Sequence, residues 1–101
     1  MSTSPSELRP ALAHGVSVTD DALVVDLVDG RTVSVPLPWY PRLAHATANE
    51  RANRRLIGRG EGIHWPDLDE DTRVGGLLAD RPSGETQSSL RRWLKTRQTA
   101  R

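Results

Sequence analysis

Cysteine is absent from the 101 residues, which excludes a disulfide framework and any thiolate metal site. Such a chain suits a reducing compartment, and a cytoplasmic location is the expectation. Phenylalanine is absent too, so three tryptophans and one tyrosine supply all the aromatic surface. No apolar run approaches the ~20 residues of a helical membrane span. Residues 1–10 lack the basic start and apolar stretch of a secretory signal. Lysine occurs only at Lys95, and arginine carries the remaining positive charge, a bias typical of GC-rich bacterial genomes.

What is present fits one small domain. A chain of this length buries about 65% of its unfolded surface, enough for one modest core and little room for a deep, dry active site. The net charge of +1 hides an asymmetry. Residues 1–80 hold 8 Arg against 12 Asp plus Glu, and residues 81–101 hold 6 Lys plus Arg against 1 Glu. An acidic body with a basic tail suits contact with nucleic acid or another acidic surface. A tail folding back on its own body has the same pattern.

Residues 1–13 are polar, with Leu8 and Leu12 as the only large apolar anchors, and read as a flexible segment. Val16 and Val18 begin a strand. The runs 22–28 and 32–37 flank Asp29-Gly30, and their alternation (Leu23, Val25, Leu27; Val33, Val35, Leu37) predicts a hairpin covered on one face, with a type I′ turn. Pro36 and Pro38 stop its second strand. Trp39, Tyr40, Leu43 and Ala46 recur at near-helical spacing, with Pro41 tolerable in the first turn. Thr47 and Glu50 have capping-box spacing for a second short helix. Leu56-Ile57 and 63–65 read as short strands about a glycine turn, and Pro66 ends the second. Asp69 is placed to cap a helix facing inward through Val74, Leu77 and Leu78, weakened by Gly75 and Gly76. After a linker, Ser88 is placed to cap a last helix. Its stripe is Leu90, Trp93 and Leu94, with Arg91, Arg92, Lys95 and Arg97 elsewhere. The predicted class is α+β, with the domain over 14–80 and the linker plus basic helix over 81–101.

No catalytic constellation emerges, and the chain reads as non-enzymatic. The acidic run Asp67, Asp69, Glu70, Asp71 is explained by a solvated helix N-terminus, where anionic side chains are favourable. As a calcium loop it fails, because Thr72 stands where Gly is required and Leu78 where Glu is required. Gly58, Gly60 and Gly62 lack the further residues of a dinucleotide or phosphate loop. His14, His45 and His64 have neither metal-ligand spacing nor a nucleophile motif beside them. No cofactor and no metal are expected. His64 with the 67–71 run is where an activity would lie, if one existed. Trp39 and Trp65 are assigned to the core, and Trp93 to an interface.

Within residues 16–78, the pieces Asp29-Gly30-Arg31, Val35-Pro36-Leu37 with Trp39, Pro41-Arg42-Leu43, Ala46-Thr47 and Asn53-Arg54-Arg55 stand in order. Gly62-Ile63-His64-Trp65-Pro66, Leu68-Asp69-Glu70-Asp71 and Leu77-Leu78 follow. This array resembles the domain-of-unknown-function family twenty-four forty-two, from which the chain departs at Thr72 and Arg73. The resemblance implies a small α+β domain on an antiparallel sheet with no established activity and no defined functional residues. It also implies relatives fused to helix-turn-helix domains, or encoded beside a second small protein in toxin–antitoxin-like arrangements. The expected function is a protein-interaction module, antitoxin-like or regulatory, or a homo-oligomer, with Leu90, Trp93 and Leu94 at the interface. The alternative is a nucleic-acid-binding regulator using Arg91, Arg92, Lys95, Arg97 and Arg101 on phosphates.

Overall fold

The structure, a computed structural model, describes residues 11–79 and 81–99. Two three-stranded antiparallel sheets share one core, and short helices join and cover them, an α+β fold. Sheet A is β1 (Ala13–Val18), β2 (Ala22–Leu27) and β3 (Thr32–Pro36) in that order. Leu23, Val25 and Leu27 are buried at alternate positions of β2, which is the period of a half-covered strand.

The predicted hairpin is present, but its turn is not type I′. That turn needs positive φ at both central residues, and only Gly30 has it here (φ 97°). The Gly30 amide donates to Leu27 O and the Leu27 amide to Arg31 O, leaving a three-residue loop with a glycine bulge. Asp29 instead accepts from the Arg31 amide and Nε.

Past Pro36 the chain makes a 3-10 turn over Leu37–Trp39, then helices α1 (Pro41–Ala44) and α2 (Ala48–Ala52). The capping box forms as expected: Thr47 accepts from the Glu50 amide, and Glu50 accepts from the Thr47 amide. Sheet B follows as β4 (Arg55–Ile57), β5 (Gly62–Trp65) and β6 (Glu70–Arg73). The two sheets meet where the Ala13 amide donates to Gly60 O at 2.8 Å. Trp65, fully buried, donates its indole N–H to Arg51 O and ties sheet B to α2.

The sequence reading needs correcting at four places. Ala13 is a buried strand residue and Leu12 O accepts from the Val28 amide, so 11–13 are part of the fold. Asp69 does not cap a helix. It sits at φ 49° in a turn whose Leu68 is fully buried, and Glu70–Arg73 then pair with β5 as a strand. The helix expected there is only α3 (Val74–Leu78), with Val74 and Leu77 buried and Leu78 exposed. The last helix, α4 (Gln87–Thr99), is capped by Thr86, whose hydroxyl accepts from the Ser89 amide, and not by Ser88. Trp39 is only half-buried.

Candidate functional site

Of the residues singled out on the last helix, Trp93 and Arg97 are engaged by the chain's own body. Leu90, Trp93 and Leu94 are half-buried, and Trp93 packs against the common core. Two guanidinium groups lie over its ring, Arg42 at 5.2 Å and Arg97 at 4.6 Å from the centroid. Arg97 donates twice to Glu50, at 2.8 Å each, so the second capping-box residue also anchors α4. Arg42 is the hub of this clasp. It donates Nε to Glu85 at 2.5 Å, and its Nη1 donates to the carbonyls of Leu68 and Asp69. The segment before α4 is pinned as well: the Ser83 amide donates to Trp39 O and Tyr40 Oη donates to Arg81 O.

The electrostatics follow from these contacts. Hydrogen bonds from Arg97, opposed by burial and aided by the Thr47 amide, hold the Glu50 carboxyl down at about 2. For Glu85, burial pulls upward, but hydrogen bonds from Arg42 and Ser89 outweigh it and leave the carboxyl below its ordinary value. Of the five cations expected on phosphates, Arg97 is therefore committed to Glu50, and Arg101 lies outside the described residues. Arg91, Arg92 and Lys95 are exposed on α4.

The acidic run is not a solvated helix start. Glu70 is 8% exposed, because the register places it beside the buried Trp65 on the core-facing side of β6. Burial raises its carboxyl to about 7, against an opposing pull from Arg42 and with further upward pushes from Glu85, Asp71 and Asp69. Burial, with the nearby Glu70 charge, likewise lifts the Tyr40 phenol to about 12. Glu70 lies between two clefts of about 430 and 190 Å³, both floored by β6 and roofed by residues 83–84. Thr72, two positions on, has a buried hydroxyl with no hydrogen-bond partner. Among the described residues, no group of three or more His, Asp or Glu is placed to hold a metal ion.

His64 and Asp71 do come together, Nδ1 against Oδ1, as cross-strand partners of β5 and β6. An aspartate so placed orients an imidazole, but no hydroxyl touches that ring among the described residues. The pair belongs to a surface that the sequence reading did not single out. Cross-strand partners share a face, so the outward side of sheet B carries two rows, Arg55–His64–Asp71 and Ile57–Gly62–Arg73. β4 is one of the two terminal strands of sheet B, and all three of its residues are exposed, Leu56 by 40% and Ile57 by 42%. Gly60 holds this hairpin rigidly. It has φ 102°, and a Cβ there would lie 2.1 Å from Ala13 O.

Among curated proteins none matches the chain. A crystal structure of a protein of unknown function from Rhodospirillum rubrum is similar, with 25% identity and a TM-score of 0.64, over 81% of this chain and 99% of that one. An uncharacterised Chromobacterium violaceum protein solved by solution NMR shares the fold at 20% identity and a TM-score of 0.62, over 72% of this chain and 69% of that one. The family model described as protein of unknown function, DUF2442, matches residues 13–83, from the first residue of β1 to the pinned Ser83. The chain belongs to the DUF2442 family.

Proposed function

We propose that the chain is a non-catalytic interaction module that engages a partner protein through the open edge and outward face of sheet B. The observation that carries this reading is β4, a terminal strand presenting Leu56 and Ile57 to solvent with no strand paired on its outer side among the described residues. Terminal strands are ready templates for another chain. The outer edge of β1, by contrast, is already met by Gly60 O at the Ala13 amide and by the Arg54 guanidinium at Val16 O. The stripe on α4 is a weaker candidate, since Trp93 and Arg97 are engaged by the body. An antitoxin-like or regulatory role is the form of this function that the family resemblance favours.

The test is affinity capture from nuclease-treated native lysate with quantitative mass spectrometry. A stoichiometric protein should be retained by the natural chain and by an Arg91→Glu, Arg92→Glu variant, and lost with Leu56→Asp, Ile57→Asp. Retention unaffected by the β4 substitutions would refute the placement of the site.

A second reading is supported by the exposed side of α4, where Arg91, Arg92 and Lys95 stand together. Nucleic-acid binding through three phosphate contacts would give a log–log salt slope of about −3 on duplex DNA. Binding that does not change with salt, or that survives Arg91→Glu with Arg92→Glu, would remove it.

A further inference from the structure

The surface around β4 also has a charge that selects among partners. The body of the chain is acidic, yet Arg55, Arg59 and Arg73 gather on and beside the outward face of sheet B. Arg55 lies on β4, Arg59 in the turn that follows it, and Arg73 across Gly62 from Ile57. All three are exposed, and none forms an ion pair among the described residues. Arg54, by comparison, is spent on the carbonyls of Ala52 and Val16. Two carboxylates stand near them, Asp71 against His64 on the outward face and the exposed Glu61 in the turn, so the three arginines leave a basic excess of one charge.

We infer that the occupant of this edge is an extended acidic segment of a partner protein, which adds to sheet B as a strand beside β4. The inference rests on the interaction-module reading and names the chemistry of its partner. Backbone groups on the outer side of β4 supply the main-chain pairing, the mode in which a strand is added to an exposed sheet edge. Side chains of an added strand alternate between the faces. Acidic ones on the outward face meet Arg55 and, at the turn, Arg59, while Arg73 stands farther in, on β6. Apolar ones on the other face meet Leu56, which shares that face with the buried Ile63. The hairpin needs little ordering to accept the segment, because the Gly60 contact with β1 already fixes it. A second copy of this chain does not fit. Two β4 edges brought together would place unpaired arginines from both along one seam, which like-charge repulsion disfavours.

The test uses the full chain and three labelled probes: a decapeptide of alternating Glu and Val, its Lys and Val counterpart, and a single-stranded oligonucleotide. Binding is followed by fluorescence anisotropy and by amide chemical shifts. The acidic peptide should bind saturably, weaken with salt and shift amides over 55–62. Arg55→Glu with Arg59→Glu should weaken it by about ten-fold or more, the scale of close interfacial charge pairs. The same exchange should let the basic peptide bind. An unchanged circular dichroism spectrum shows that these exposed substitutions leave the fold intact. The proposal is overturned if the acidic peptide does not bind, if its shifts map to α4, or if the oligonucleotide binds this surface instead. It is also overturned if the chain dimerises through β4. If the Leu56 and Ile57 substitutions abolish capture of a partner while the acidic peptide fails to bind, the module reading stands and the acidic occupant falls.

Discussion

Replacing Glu50 by Gln separates two jobs that this residue performs. Gln at the third helical position preserves the capping box with Thr47, so the substitution removes only the charge facing Arg97. A carboxyl held at about 2 in the folded chain, against an ordinary 4.5, corresponds at face value to about 3.4 kcal/mol at neutral pH. The Glu50 and Arg97 side chains are 20% and 26% exposed, and solvent screening brings the expected loss to about 1–2 kcal/mol. The sign follows from the lowered value. The contribution is complete above about pH 4.5, more than half lost by about pH 3, and gone below about pH 2. Urea unfolding followed by tryptophan fluorescence reads it, and amide exchange over α4 shows whether the helix loosens first. The natural chain and the Gln variant should differ at pH 7 and converge as pH falls. The same pairwise energy should appear in a double-mutant cycle with Arg97→Gln. Equal stability at pH 7, or a difference that persists unchanged at pH 3, would refute the clasp.

Three further outcomes are expected. Glu70 is raised from 4.5 to about 7, so its contribution is fully present below about pH 4.5 and is lost as pH rises through 7. Glu70→Gln should therefore flatten the decline in melting temperature between pH 5 and 8, and parallel profiles would contradict its burial. Gly60→Ala forces a Cβ to 2.1 Å from Ala13 O at positive φ. The expected loss is about 2–4 kcal/mol in urea unfolding, and a loss below about 0.5 kcal/mol would contradict the junction. Thr72→Val removes a buried hydroxyl without a partner. Its unfolding free energy should stay level or rise by about 1 kcal/mol, and a marked loss would show that the hydroxyl is satisfied.

Sheet A and its flanks were legible in the sequence because their signals are local. Alternating β-branched residues, strand-stopping prolines and the Thr47–Glu50 spacing each act over a few residues, and each forms as read. β6 was not legible. Its inward positions are Glu70 and Thr72, so no apolar alternation marks it, and its acidic residues imitate a helix start. The I′ turn was misjudged because Asp29 can satisfy Arg31 with its side chain instead of adopting positive φ. On α4 the stripe of Leu90, Trp93 and Leu94 was visible, but its partners Arg42 and Glu50 lie more than 40 residues away, beyond any periodicity. The tail folding back on an acidic body was one of two readings open in the charge pattern, and the Arg97–Glu50 pair is a contact of that sense. The surface on sheet B was missed for a related reason. Leu56 and Ile57 read as strand, but pattern alone gives no sign that their sheet ends there and leaves them exposed.

Hydrogen–deuterium exchange on the chain with and without its captured partner tests the central claim most directly. The account predicts protection over β4 and its turn, residues 55–61, with α4 exchanging as in the free chain. Protection confined to α4, with β4 unchanged, would contradict it and return the binding site to the last helix.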